Sequence, residues 1–137
     1  MSVSDFTVES GVTVVNGRTI TDWGETATPF THSPIDPKRA LRRGMGGKAV
    51  KLGRTNPGRT VTLNLNPGSA DSAFMQGLFN SGANITLGHT QLGTLEIVAA
   101  TEGIIVNDGQ TGRNGTTITD DQYIMEFNIW NETKGGI

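Results

Sequence analysis

Eight of the chain's eleven basic side chains, Lys38, Arg39, Arg42, Arg43, Lys48, Lys51, Arg54 and Arg59, fall between positions 38 and 59 with no acid among them. A run of this kind can stay solvated, neutralise phosphates, or pair with carboxylates on a protein surface. Stacking aromatics, which a reader of nucleic acid would use, are missing from it. Leu41, Met45, Val50 and Leu52 are interleaved instead, which suits an arm that packs apolar residues on another protein while its arginines find carboxylates. The arm carries +8, and the rest of the chain holds three basic residues against thirteen acidic ones, so a net charge of −2 conceals a bipolar molecule. Candidate acidic partners outside the arm are Asp22, Glu25, Asp108, Asp120, Asp121 and Glu132. Docking of one copy's arm on another copy satisfies both halves.

Catalytic chemistry finds little support. Gly44-Met45-Gly46-Gly47-Lys48 has the wrong glycine spacing for a phosphate loop, Ala49 stands where a magnesium-binding hydroxyl should follow the lysine, and no helix is expected next. It reads as a hinge in a mobile arm. His32 and His89 lie far apart without metal-ligand spacing, and each reads as a surface or strand histidine. No Gly-x-Ser-x-Gly elbow exists. Asp120 and Asp121 are adjacent, so in an extended chain they point to opposite faces and make no acid/base pair. With no cysteine there is neither a disulfide framework nor a thiolate. These readings predict a protein that is not an enzyme and takes no cofactor or metal.

The elements that must position the arm follow from periodicity. The 137 residues suit one domain, and 34% hydrophobic content with 19 glycines describes a lean, turn-rich β protein that gains buried area from neighbours. Two β-branched runs, 12–15 and 18–23, flank Asn16-Gly17 and predict a type I′ hairpin. Positions 25–36, with Pro29 and Pro34, suit an extended edge or loop. The arm, about 36–59, is expected to be a flexible β-arm or loop, with 49–52 pairing briefly as one side of a long hairpin whose return side starts near Arg59. A sharply alternating strand follows, with Val61, Leu63 and Leu65 on one face and Thr60, Thr62, Asn64 and Asn66 on the other. Pro67-Gly68 ends it, and Ser69 caps a helix over about 69–80. Further strands are predicted at 84–89, 92–100, 103–106 and 121–130, with a polar loop over 107–115 and a fraying tail from 131. Positions 1–6 lack a basic start and an apolar run, so no signal peptide is expected. Nowhere do apolar residues approach the roughly 20 in a row that a membrane helix needs.

This order of parts resembles the tail tube proteins of contractile-tailed bacteriophages. The residues that carry the resemblance are Val15-Asn16-Gly17 leading to Ile20-Thr21-Asp22-Trp23-Gly24, and the charged arm ending at Arg54-Thr55-Asn56-Pro57-Gly58-Arg59. The strand 60–65, the helix opening Gly68-Ser69-Ala70-Asp71-Ser72-Ala73-Phe74 and the late strand Tyr123-Ile124-Met125-Glu126-Phe127 complete it. The resemblance implies a mainly β fold, a two-sheet sandwich or split barrel with one flanking α-helix and a long extended arm. Strands would close into a larger barrel across the subunits of hexameric rings, and the rings would stack into a hollow tube. The type VI secretion tube protein shares that design. It further implies a virion protein, assembled in the host cytoplasm, with sheath, baseplate initiator and terminator as partners. Its lumen would pass DNA without specific binding, and no membrane would be involved. Thr60, Thr62 and Asn64 are the candidate lumen-facing residues, and the eight basic arm residues the candidate contacts between subunits or rings. A terminator or connector ring, or a nucleic-acid-binding module using the arm, is the alternative.

Overall fold

The computed structural model describes residues 6–7 and 10–135. The expectation at positions 1–5 and the last two residues of the predicted tail lie outside them. Seven strands form one antiparallel sheet: β1 (Gly11–Val15), β2 (Arg18–Ile20), β3 (Phe30–Pro34), β6 (Arg59–Leu65), β7 (Ile85–Gln91), β8 (Glu96–Asp108) and β9 (Asp121–Thr133), in the order β2-β1-β7-β8-β9-β6-β3. Two more, β4 (Arg39–Arg43) and β5 (Ala49–Gly53), pair only with each other in that ladder system and make a separate two-stranded sheet. The large sheet curls into a half-barrel. Phe30 on edge strand β3 thereby stacks on His89 of β7, with ring centroids 4.3 Å apart, although three strands separate them in the sheet.

The Asn16-Gly17 hairpin forms as predicted, with both residues at positive φ (48° and 85°) and Val15 opposite Arg18. In β6 the alternation sends Val61, Leu63 and Leu65 into the core at 0% exposure, beside Met125 and Phe127 of β9. Helix α1 (Ala70–Ser81) starts at Ser69, whose Oγ accepts from the Ser72 N–H at 3.1 Å, and ends at Gly82 in the left-handed region. Met75 is fully buried and Phe74, Leu78 and Phe79 pack on the same cluster, so the helix closes one side of the half-barrel. Among the described residues no helix is long and apolar enough to cross a membrane.

Three expectations are corrected. The tail does not fray from 131: β9 runs on to Thr133, with Asn131, Glu132 and Thr133 paired to Ala99, Val98 and Ile97 of β8. The segment 49–53 is not the outgoing side of a hairpin returning at Arg59; it is itself the return side, paired with 39–43 in the register Arg39↔Gly53 to Arg43↔Ala49. The strands expected at 92–100 and 103–106 are one 13-residue strand, β8, carried past Glu102 by an irregularity at which Glu102 adopts φ 54°. A single left-handed residue there lets Val98 and Ala100 on one side of it, and Gly103 and Ile105 on the other, all face the core. Gly103 leaves room for the Phe127 ring, which a Cβ would overlap.

Candidate assembly surfaces

The arm is the far end of one long hairpin. Its near end is the β3–β6 pair, the ladder passes through Ile35 N–H to Gly58 O (3.3 Å), Asp36 N–H to Pro57 O (3.2 Å) and Arg54 N–H to Lys38 O (2.9 Å), and β4–β5 form the tip. The glycines of 44–47 make the turn: the Gly44 N–H donates to Lys48 O at 2.7 Å, the Gly47 N–H to Gly44 O at 3.1 Å, and Gly47 sits at φ 87°. Every residue of β4 and β5 is exposed. Opposed residues share a face, so Arg39, Leu41, Arg43 and Lys51 stand on one side of the ribbon and Ala40, Arg42, Val50 and Leu52 on the other. A two-stranded ribbon alone in water is marginal. This one offers a basic face and a mostly apolar face to whatever covers it.

The second surface is the side of the large sheet opposite the core. Cross-strand rows there read Ser33, Thr60, Glu126, Ile104; then Thr31, Thr62, Ile124; then Asn64 and Gln122, whose amides meet at 3.3 Å. Towards the other edge they read Thr19, Val14, Gly88, Ala99, Asn131 and Val12, Thr90, Ile97, Thr133. Thr60, Thr62 and Asn64 therefore lie on this outward face, half-buried by their neighbours. None of these residues is basic. Glu126 and, at the strand irregularity, Glu102 supply its carboxylates.

The predicted contact residues divide. Lys38, Arg39, Arg42, Arg43, Lys48, Lys51 and Arg54 stand exposed on or beside the hairpin, with Arg54 4.0 Å from Asp36 across solvent. Arg59 does not join them. As the first residue of β6 it faces inward, its guanidinium 5.7 Å from the centre of the Trp130 ring and its Nε–H donating to His32 Nδ1 at 2.7 Å. Of the acidic candidates, Asp22, Glu25 and Asp108 are exposed. Asp120 accepts from the Glu25 and Thr26 N–H groups, Asp121 accepts from Arg113 (2.6 Å) and from the Ser72 hydroxyl, and Glu132 is held by Lys134 (2.7 Å) and Trp130 Nε1–H (3.1 Å). Those three serve their own subunit.

The two histidines, distant in sequence, are brought against one shared ring inside the half-barrel. Phe30 lies between them, 5.8 Å from the His32 ring centre and 4.3 Å from that of His89. His89 Nδ1 shares a hydrogen bond of 2.7 Å with the Thr13 hydroxyl, and His32 Nε2 is 3.8 Å from Glu132 Oε2. Burial pushes both imidazoles below the ordinary 6.5; at His32 the Glu132 carboxylate pulls the other way, and Arg59 and Lys134 reinforce the fall. Both are therefore neutral in the fold at pH 7. The unfolded chain takes up these protons from about pH 6.5 downward while the folded chain resists, so stability is complete above that value and declines as pH drops towards the folded pKa values. Thermal melts should show Tm falling between about pH 7 and 5, before the carboxylates titrate; a flat Tm across that window would refute this. Among the described residues no group of three or more His, Asp and Glu is placed to hold a metal ion.

Sequence reasoning did not single out Asp71 as a site residue. Buried in the first turn of α1, it accepts from Arg18 Nε–H and from the Thr21 and Asp22 N–H groups, each at 2.9 Å, and so ties the helix to the β2 end of the sheet. An acid two residues after a Ser cap was the available signal.

No protein-family model matches the sequence, and the search of curated proteins finds no match. Solved structures do match. A chain of the extended sheath/tube terminator of the PVC extracellular contractile injection system superposes with a TM-score of 0.58 at 15% identity, over 97% of this chain and 99% of that one. The tube-terminating cap of the anti-feeding prophage gives 0.58 at 15% identity, over 98% and 95%. A chain of the PVC sheath-tube complex gives 0.56 at 16% identity, over 95% and 92%. The protein thus has, along nearly its whole length, the fold found in these tube terminator, cap and sheath-tube structures of contractile injection systems.

Proposed function

We propose that this protein is a structural subunit of a contractile injection tube, assembling with copies of itself into rings that stack as a hollow conduit. The observation that carries the reading is the segregation of charge on that fold. Seven cations stand on an exposed hairpin, and among the described residues the outward face of the sheet has none. A conduit for a polyanion must not grip it, because each lysine or arginine on the wall would exchange counterions with a phosphate and hold it. Hydroxyls, amides and small apolar groups with two glutamates meet that need, so Thr60, Thr62 and Asn64 face the lumen. The hairpin's cations are occupied between copies. In this reading the rings are hexamers, the sheath, baseplate and terminator are the partners, and the particle is a phage tail that ejects DNA.

The matched terminator and cap favour a second reading, a ring that ends a tube rather than extends it. Negative-stain microscopy of the purified protein across a concentration series separates the two. Hollow tubes of indefinite length are expected for the tube subunit. Single rings or short stacks at every concentration would assign the terminator role, and a persistent monomer that retains DNA in a salt-dependent way would overturn both.

A further inference from the structure

The hairpin tip and the mouth of the half-barrel match in polarity and charge. Met45 stands at the turn with its whole side chain in solvent (108% exposed), flanked by glycines and followed at once by the Gly47 turn that the backbone needs. Nothing in that turn requires an apolar residue at 45. The side chain is flexible and polarisable, suited to an aromatic pocket. Each five-residue strand spans about 17 Å, enough to carry the tip clear of its own subunit.

Three cavities can be compared as receptors. One of about 550 Å³ lies at the hairpin's own base, where Lys38, Arg59 and Lys134 outnumber Asp36 and Glu132 in the lining and leave it net positive against a tip carrying Arg42, Arg43 and Lys48. One of about 370 Å³ at the start of α1 is walled by polar groups including Asp108, Arg113 and Asp121. The third, about 490 Å³, opens between β3, β7 and the segment before β3. Trp23, Pro29, Phe30 and His89 form its walls, and neither lysine nor arginine lines it. Asp22 and Glu25, both exposed, sit on the same segment as Trp23. We infer that Met45 of one copy inserts into this aromatic cavity of a second copy, with Arg42, Arg43 and Lys48 brought against Asp22 and Glu25.

The inference rests on self-assembly and adds to it the anchoring residue and its receptor. Because the chain has no cysteine, site-directed crosslinking is unambiguous. One preparation carries Met45→Cys alone and another Thr28→Cys alone, Thr28 being an exposed residue lining the cavity. Mixed and oxidised, they should give a disulfide-linked dimer well above the level of either variant by itself. In parallel, Met45→Asp should raise the concentration needed for assembly at least about tenfold and Met45→Leu by less than about twofold, with unchanged circular dichroism in both. Assemblies that form normally from Met45→Asp, with no 45–28 crosslink, would overturn the inference and leave the tube reading standing. Wild-type protein that never self-associates would overturn both.

Discussion

Exchanging Arg42 and Arg43 together for glutamate should leave a folded subunit that no longer builds tubes. Both side chains are exposed, on opposite faces of the ribbon, and face Val50 and Ala49 across it. Their loss therefore costs the monomer little, in line with surface substitutions generally. The exchange halves the arm's charge from +8 to +4 and sets carboxylates against the exposed Asp22, Glu25 and Asp108 of a neighbour. Like charges brought together at a contact cost several kcal/mol, and a growing tube repeats the penalty at every copy. Sedimentation and negative stain read the outcome, and circular dichroism verifies the fold. Arg42→Lys with Arg43→Lys should assemble, since charge is kept. Wild-type tubes should also weaken as salt rises. Tubes of normal length from the glutamate variant would dismiss the hairpin as an assembly contact.

The largest effect on the subunit itself is expected from Asp71→Ala. The carboxylate accepts three hydrogen bonds, from Arg18 and the Thr21 and Asp22 amides, at a position where the α1 dipole also favours negative charge. Removing it strands two backbone donors beneath the helix. Arg18 is less stranded, because its side chain is 40% exposed and rests 5.4 Å from the Phe74 ring centre. That exposure discounts the ionic part, leaving a loss of about 2–4 kcal/mol and a fall in Tm on the order of 10 °C. A second readout separates this from simple loss of packing. Burial opposes ionisation of Asp71, but the Asp22 and Thr21 amides and Arg18 outweigh it and hold its pKa below the ordinary 3.8. Wild type therefore has stability that is present above that value and is lost as pH falls through the folded pKa. The variant should show a shallower acid limb below about pH 4. A Tm within a degree or two of wild type would show that the helix is held elsewhere.

The parts legible in the sequence were those fixed by neighbours in the chain. Asn16-Gly17 declares its turn because only residues tolerant of positive φ serve there. The 60–65 alternation declares its buried face because the pleat has period two, and Ser69 declares the helix start because its unpaired N–H groups need a cap. What stayed hidden depended on pairing across distance. Either limb of the arm could have been the outgoing one, because glycines at 44, 46, 47, 53 and 58 offer several turns, and only the ladder back to β3 and β6 selects among them. Arg59 reads as one more cation of a basic run, but the strand period turns it inward onto Trp130 and His32. The histidine pair is invisible for a related reason. It exists because a sheet seven strands wide curls until β3 meets β7, and no local pattern encodes that curvature. The acidic candidates show the same limit, since Asp120, Asp121 and Glu132 match their exposed counterparts in residue type and differ only in what folding brings beside them.

In the tube proposed above, the rows of threonine, asparagine, valine and glycine across the outward face would also set the speed of the cargo. A cargo moving along a wall studded with cations would halt at each one and restart only by thermal escape, so its transit time would climb as salt was withdrawn. A wall whose only charges repel the cargo presents a nearly level potential from one subunit to the next. Passage along it is then limited by hydrodynamic drag and the driving pressure, and its rate becomes almost indifferent to the ionic strength that governs whether the rings hold together.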